Sequence, residues 1–530
     1  MSDERWDYII IGSGFGGSVS ALRLVEKGYR VLMLEKGRRL TGKDFPKTNW
    51  SLRKWLWMPG LGFRGLFKMT FLRHITALSG VGVGGGSLVY ANTLPTPPDA
   101  FFDAESWSAL GSWKQELLPH YDTALKMLGA EENPDVTYPD TVLKQIAKDM
   151  GREEHFGPTR VAVYFGKAGE TVSDPYFDGK GPERTGCIKC GACMTGCRHN
   201  AKNTLDKNYL HLAEQLGLVI RADTEVTQVG PVDSADGGGY EVHAKQGASR
   251  WWRKKVSYQA DNVIFSGGVL GSVDLLLRMK ERQDGLPELS PCVGEYVRTN
   301  SEVLMAVVSQ KRDKDLSEGI AIGSILHTDE RSHIEPVRYG SGSGFFRTMM
   351  TPHAPGGNVF VRVFNAMWYA LRHPIRTIRC WFVWNWAKFT MILLYMRTFE
   401  GYLTLKRGRR LRTLFRRKLV SQVSEGASPT ASIAEATELG HRVAEKIDGY
   451  PTSMVTETVF GTPTTAHILG GCVMGATSDE GVIDHQHRVF NYDGLYVIDG
   501  AAVSANPGVN PSLTICALAE RAMTFIPTKS

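Results

Sequence analysis

Two spacings in this chain carry chemistry in themselves. Gly12-x-Gly14-x-x-Gly17 follows the apolar run Tyr8-Ile9-Ile10-Ile11, and Cys187-x2-Cys190-x2-Cys193-x3-Cys197 gathers four thiols in one short stretch. After the glycines, Val19, Leu22, Leu24 and Val25 recur at helical spacing as far as Lys27-Gly28, and Val31-Leu32-Met33-Leu34 then reads as a second strand ending at Glu35. Strand, glycine turn, helix, strand and acid within about 30 residues is the pattern of a dinucleotide site. Gly12, Gly14, Phe15, Gly16 and Gly17 bring free N–H groups and a helix dipole to a pyrophosphate. Glu35 is placed to accept from ribose hydroxyls, and its charge disfavours a 2′-phosphate. The pattern alone does not separate FAD from NAD.

The four cysteines match the spacing of a bacterial ferredoxin loop, in which thiolates wrap an iron–sulfur cluster. Arg198 rather than Pro follows the last of them, and there is no second run. Three readings stay open: an iron–sulfur cluster, zinc in a four-thiolate site, or a loop of thiols with no ligand. A cluster would be 4Fe–4S on all four, or 3Fe–4S on Cys187, Cys190 and one of the others. It would pass electrons singly to a carrier and make the protein a dehydrogenase.

Further glycines decide for FAD. Ser79-Gly80-Val81-Gly82-Val83-Gly84-Gly85-Gly86-Ser87 suggests backbone lying flat on a large ring, where a Cβ would collide. Near the other end, Leu495-Tyr-Val-Ile-Asp499-Gly500 reads as a strand ending in an acid. Asn506-Pro-Gly-Val-Asn510-Pro511 then opens an apolar helix, whose amino terminus suits an electron-rich flavin edge. Sites at both ends imply one long cofactor held by a discontinuous domain.

With these segments in order, the chain resembles the glucose–methanol–choline (GMC) oxidoreductases, and within them the cholesterol oxidase-like flavoenzymes. The resemblance rests on the first fingerprint, Gly84 to Val89, Asp261 to Ser272 with Gly267, His467-Ile-Leu-Gly470-Gly471-Cys472, Val497 to Gly500, and Gly508 to Pro511. It implies an α/β fold: a Rossmann-like FAD-binding domain with a second α+β domain built on an antiparallel sheet. It also implies that Val226 offers backbone groups to the adenine. His467 and Asn510 become the pair at the oxygen of a CH–OH substrate, where a proton acceptor must sit about 3 Å from the hydroxyl. Such enzymes also use a carboxylate to shift a double bond after oxidation, and chain order nominates Glu335, with a surface glutamate beside Pro336 as the alternative.

Residues 1–100, 182–300 and 455–530 form the expected FAD-binding unit, with the four-cysteine loop at 182–200; residues 101–181 and 301–454 form the substrate unit. A chain of 530 residues with 42% hydrophobic residues is globular and too long for one core. No run reaches the ~18 apolar residues of a membrane span, and the opening residues lack a signal-peptide pattern, so a cytoplasmic protein is expected.

Between Val359 and Phe399 lie Trp368, Trp381, Trp384 and Trp386, punctuated by Arg362, Arg372, Arg376, Arg379 and Lys388. Two amphipathic helices packed in the core compete with a surface that makes peripheral membrane contact. Either way the pocket is apolar, so the expected partners are a small hydrophobic alcohol, sterol-like by resemblance, and an electron acceptor, oxygen or a redox carrier protein. The rivals are a sugar or polyol dehydrogenase and a non-catalytic lipid-binding flavoprotein. The basic run 406–418 lacks a nucleic-acid-binding module, and no nucleic acid is expected.

Overall fold

Ile9, Ile10 and Ile11 are apolar without alternation, which suits a strand covered on both faces. In the structure, a computed structural model, Arg5–Ile11 sits inside a seven-stranded sheet. It pairs in parallel with Val31–Leu34 on one side and Lys254–Phe265 on the other. Val219–Arg221 extends the first side, and Leu495–Val497 pairs in parallel with the end of Lys254–Phe265. Antiparallel Tyr240–Gln246 and Thr224–Pro231 complete the sheet. The structure describes residues 5–530 except 234, 236, 250, 251, 410–415, 425–428 and 431, so the middle of the basic run 406–418 lies outside the described residues.

Parallel strands bring their carboxyl ends to one edge. Here Ile11, Phe265 and Val497 end together: Ser266 N–H donates to Ile11 C=O (2.9 Å) and Ile498 N–H to Phe265 C=O (3.0 Å). The helices Phe15–Glu26 and Ser512–Thr524 pack on each other and are joined by Arg23 and Glu520 at 2.7 Å. Helix Trp113–Met127 packs on the same carboxyl-terminal helix, through Tyr121 and Thr514 (2.9 Å) and through Arg521 and Glu116 (2.6 Å).

The second sheet also has seven strands, antiparallel throughout. Its order is Met350–Pro352, Gly449–Met454, Val303–Ser309, Thr390–Arg397, Ser332–Val337, Ser324–His327, Phe156–Pro158. Helix Ala434–Lys446 covers it through Leu439 and Val443. The Rossmann-like unit with an α+β partner is the expected fold. The two units are joined at several places: Asn506 Nδ2 donates to Phe399 C=O (2.6 Å), Gly344 N to Asn49 Oδ1 (2.9 Å) and Gly191 N to Gly319 C=O (2.8 Å). Among the described residues no helix is long and apolar enough to cross a membrane.

The fingerprint glycines have different jobs. A Cβ on Gly16 would lie 1.9 Å from Ile498 C=O, whereas a Cβ on Gly14 would meet nothing within 4 Å. Gly16 is required by the fold, and Gly14 keeps open a space the protein does not fill. Gly16→Ala is therefore expected to cost about 1–3 kcal/mol or more of stability. Gly14→Ala should leave the apoprotein's denaturant midpoint near wild type while weakening flavin retention. Equal losses of stability in the two variants would contradict this division.

Candidate active site

His467 follows the short strand Thr464–Thr465, and Thr465 Oγ1 accepts from the His467 N–H at 2.8 Å. Just beyond, Arg298 and Leu469 exchange two backbone hydrogen bonds (2.8 and 3.1 Å), which fixes the segment after Arg298 beside the imidazole. Glu302 is on that segment. Its side chain is fully buried; one oxygen lies 2.5 Å from His467 Nδ1 and the other accepts from the Ala466 N–H at 2.5 Å. A carboxylate only accepts, so an ionised Glu302 fixes the proton on Nδ1 and leaves the Nε2 lone pair free. Glu302 is the residue sequence reasoning missed. Its only trace was a lone acid at the head of the apolar run Val303-Leu-Met-Ala-Val-Val.

Asn510 and Glu335 arrive from opposite units. Glu335 lies in the strand Ser332–Val337, and its side chain is wholly buried, so the surface alternative does not hold. Asn510 Nδ2 donates to Glu335 Oε2 at 3.3 Å. Glu335 Oε1, Asn510 Oδ1 and His333 Nε2 are buried and make no hydrogen bond; His333 Nε2 is 3.7 Å from Glu335 Oε1. Leaving a buried polar atom unsatisfied costs about 1–3 kcal/mol, so orphans gathered here suit a site that a polar ligand completes. Burial pushes the Glu335 carboxyl up to about 8, with nearby Glu302 adding to the rise and Asn510 opposing it. Burial likewise raises Glu457 to about 8 and drives His333 down to about 3. Near neutral pH the carboxyl of Glu335 is predominantly protonated.

The cofactor-binding candidates converge on the shared strand edge. Helix Phe15–Glu26 has extended Gly14 as its N-cap, with no side-chain cap and no acid in its first turn. Its N–H groups are free for a phosphate. Glu35 accepts from Ser13 N (3.2 Å), Ser13 Oγ (2.8 Å) and Gly37 N (2.8 Å), which shapes the turn that Gly12 and Gly17 make. A Cβ on Gly85 would lie 2.6 Å from Gly14 Cα, and one on Gly80 would lie 2.5 Å from Gly85 C=O, so the second glycine loop lies on the first. Gly86 lies over the Phe15 ring, and Ser87 Oγ bonds Gly84 C=O (2.7 Å) and Leu205 N (3.0 Å). Val226 sits at a register shift in its strand. Asp499 collects Gly268 N (2.8 Å), Ser272 Oγ (2.6 Å) and Ala501 N (2.7 Å), while Gly267 N bonds Ser272 Oγ (3.0 Å). Gly500 C=O accepts from Gly470 N (2.9 Å), coupling that acid to the turn behind His467. Pro511 begins a second helix with no side-chain cap and no acid in its first turn, directly after Asn510. Two uncapped helix ends, the open face of Gly14 and the stacked glycine loops fit a long anionic flavin dinucleotide.

The metal expectation for Cys187, Cys190, Cys193 and Cys197 is not supported. All four thiols are free and line one small cavity with Lys202. Yet among the described residues no three His, Cys, Asp or Glu groups form a set able to hold a metal ion. The spacing places thiols near one another along the chain but does not set where each Sγ points. Cys187 Sγ accepts from Lys189 N (3.4 Å), and Gly191 N bonds Gly319 C=O (2.8 Å), which ties the loop to its neighbour. Burial pushes Cys187 up to about 11 and Cys193 up to about 12, keeping these thiols protonated. Away from the site, an open trough of about 840 Å³ beside Trp6, Arg221 and Lys254 shares no residue with the His467 cluster.

Comparison with known proteins agrees with this geometry. Residues 182–295 and 409–519 match GMC oxidoreductase models, and residues 10–53 match an NAD(P)-binding Rossmann-like domain. A cholesterol oxidase of Acinetobacter baumannii is 44% identical over 100% of this chain and 96% of its own. One from Mycobacterium tuberculosis is 44% identical over 99% of this chain and 91% of its own. A 2-methyl-1,2-propanediol dehydrogenase of Mycolicibacterium austroafricanum is 24% identical over 99% and 96%. The crystal structure of pyridoxine 4-oxidase from Mesorbium loti shares the fold, with a TM-score of 0.61 at 14% identity over 98% of this chain and 99% of that one.

Glu302→Gln keeps the shape of the contact and removes the charge that holds His467 Nδ1–H. Turnover should fall roughly 10²-fold or more with flavin content unchanged, measured as kcat beside the absorbance of bound flavin. Wild-type turnover in that variant would remove Glu302 from the site.

Proposed function

This chain belongs to the GMC oxidoreductase family and is an FAD-dependent oxidoreductase of CH–OH groups; from that premise we propose that it oxidises the secondary hydroxyl of a sterol-like alcohol. The reading is carried by His467 held through Nδ1 on buried Glu302, with Nε2 left to accept a proton. The full-length likeness to cholesterol oxidases supports the substrate class, and their name supports dioxygen as acceptor. No step is assigned to the four-cysteine loop, where no metal-holding set is found among the described residues.

In this reading His467 Nε2 takes the hydroxyl proton, and the imidazolium so formed is balanced by the Glu302 carboxylate. Asn510 directs its amide N–H at the substrate oxygen and holds the carbinol carbon in line. FAD, when bound, supplies the acceptor for that carbon's hydride. Glu335 then serves a second step. In its ionised form, which burial disfavours below about pH 8, the Glu335 carboxylate removes a proton between the new carbonyl and a neighbouring C=C and returns it at the far end of the double bond. No net proton or electron is consumed in that shift.

A sugar or polyol substrate is disfavoured, because the sheet face that carries Glu335 also presents Val337, Ile392, Leu394 and Met396 rather than a polar lining. The test is anaerobic bleaching of the bound flavin by a panel of 3-hydroxysteroids, sugars and polyols. Steroids carrying a neighbouring double bond should bleach it and yield the conjugated ketone, and Glu335→Gln should bleach equally but release the unconjugated ketone. Bleaching by sugars alone would overturn the substrate class, and conjugated product from the variant would overturn the role of Glu335.

A further inference from the structure

An amphipathic helix on a globular protein ordinarily buries its apolar stripe. The helices Val359–Arg372 and Pro374–Phe382 do the reverse. Phe360, Phe364, Met367 and Leu371 follow one another at i, i+4, i+7 and i+11, yet Phe360 is 87% and Leu371 74% exposed. Phe382 and Trp384 continue the face at 76% and 88%. The side turned inward is anchored by a cation: buried Arg362 donates to Thr458 C=O (3.1 Å) and Gly356 C=O (2.9 Å). Trp381 Nε1 donates to Met350 C=O (2.7 Å), and Cys380 is buried beneath. The pair is thus docked on the second unit by design of its polar side, with its apolar side outward. This corrects the core-packing alternative for the segment.

Within the helical pair, from Val359 to Trp384, there is no Asp or Glu, and Arg372, Arg376 and Arg379 stand beside buried Arg362. Arg372 stacks over Trp368 (4.9 Å to the ring centroid), and Arg379 is exposed on the next helix. Exposed aromatics rimmed by arginines, with no acid among them, match the boundary of an anionic bilayer, where rings enter the acyl layer and guanidinium groups meet phosphates. A second copy of this chain is a poor occupant, since a two-fold contact would set these cations against themselves.

We propose that Val359 to Trp384 is a membrane-docking face that seats the protein on anionic lipid. The inference rests on the reading of an apolar alcohol as substrate and names the surface from which it comes. The face lies close to the chemistry: Val359–Arg372 packs on Val455–Thr458, and the chain runs from there through Thr464–Thr465 to His467. A sterol leaving the bilayer would enter beside the second sheet without crossing bulk water.

The test uses the flavin-loaded full chain and sterol-free vesicles of phosphatidylcholine, with or without phosphatidylglycerol, read by flotation. The protein should float with the anionic vesicles and less with the neutral ones, and added salt should weaken the association. The double variant Phe364→Ser/Leu371→Ser changes exposed positions only. It should lose about tenfold or more in vesicle partition, while flavin content and oxidation of detergent-dispersed sterol stay at wild-type levels. The docking proposal is overturned if wild-type protein stays with the aqueous phase, if the double variant floats as well as wild type, or if light scattering shows a dimer that the variant breaks. Flotation is read without turnover, so a failed steroid assay with intact flotation would sink the substrate reading and leave the docking face standing.

Discussion

The site exists only because the first and last strands of the chain end at the same sheet edge, on either side of Lys254–Phe265, and the segments beyond them meet at Gly16 and Ile498. Gly16 has room for no side chain because Ile498 C=O occupies that place, and Ser266 Oγ donates to the same carbonyl. This seam aims the helix that follows Gly14 and the helix that follows Asn510 at one volume. Asp499 locks it further by gathering three donors from two segments. A side chain at Gly16 would part the two helix termini, and with them the surroundings of any dinucleotide.

Around that volume the protein spends buried carboxyl groups in two different states. Glu302 has both oxygens engaged, by an imidazole and a backbone N–H, and such charge-assisted contacts offset the cost of burying an anion. Glu335 has one long contact and a bare oxygen, so burial keeps it protonated up to about pH 8. Two carboxyls with such different hydrogen-bond partners are suited to two proton tasks, one facing a cation and one exchanging a proton. The contrast follows from position. Glu302 sits at the head of the strand Val303–Ser309 beside the His467 turn, and Glu335 lies mid-strand in Ser332–Val337 of the same second sheet.

How much was readable from residue order follows the same physics. The glycine fingerprint, Glu35, the second glycine loop and the Asp499 strand end were readable because backbone geometry there permits few residue types. His467 and Asn510 were readable only through resemblance, since a histidine and a turn asparagine have no local mark of function. Glu302 was not readable: its partner is 165 positions away, and the bond between them is set by the Arg298–Leu469 pairing, a tertiary fact. The cysteine spacing carries no support for a metal among the described residues, because proximity along the chain does not set the direction of each thiol. The two amphipathic helices were foreseen as helices, but a buried and an exposed apolar stripe have the same period. Only the arginine at position 362, inside the stripe's opposite face, separates the cases.

If the imidazole at position 467 removes the substrate proton, its loss slows chemistry while Asn510 and the flavin site stay intact. Rapid-mixing anaerobic reduction of the bound flavin by a 3-hydroxysteroid, comparing wild type with His467→Ala, tests it most directly. The reduction rate is expected to fall by roughly 10²–10⁴-fold in the variant, with flavin still bound at the wild-type ratio. Flavin reduction at the wild-type rate in His467→Ala would contradict it.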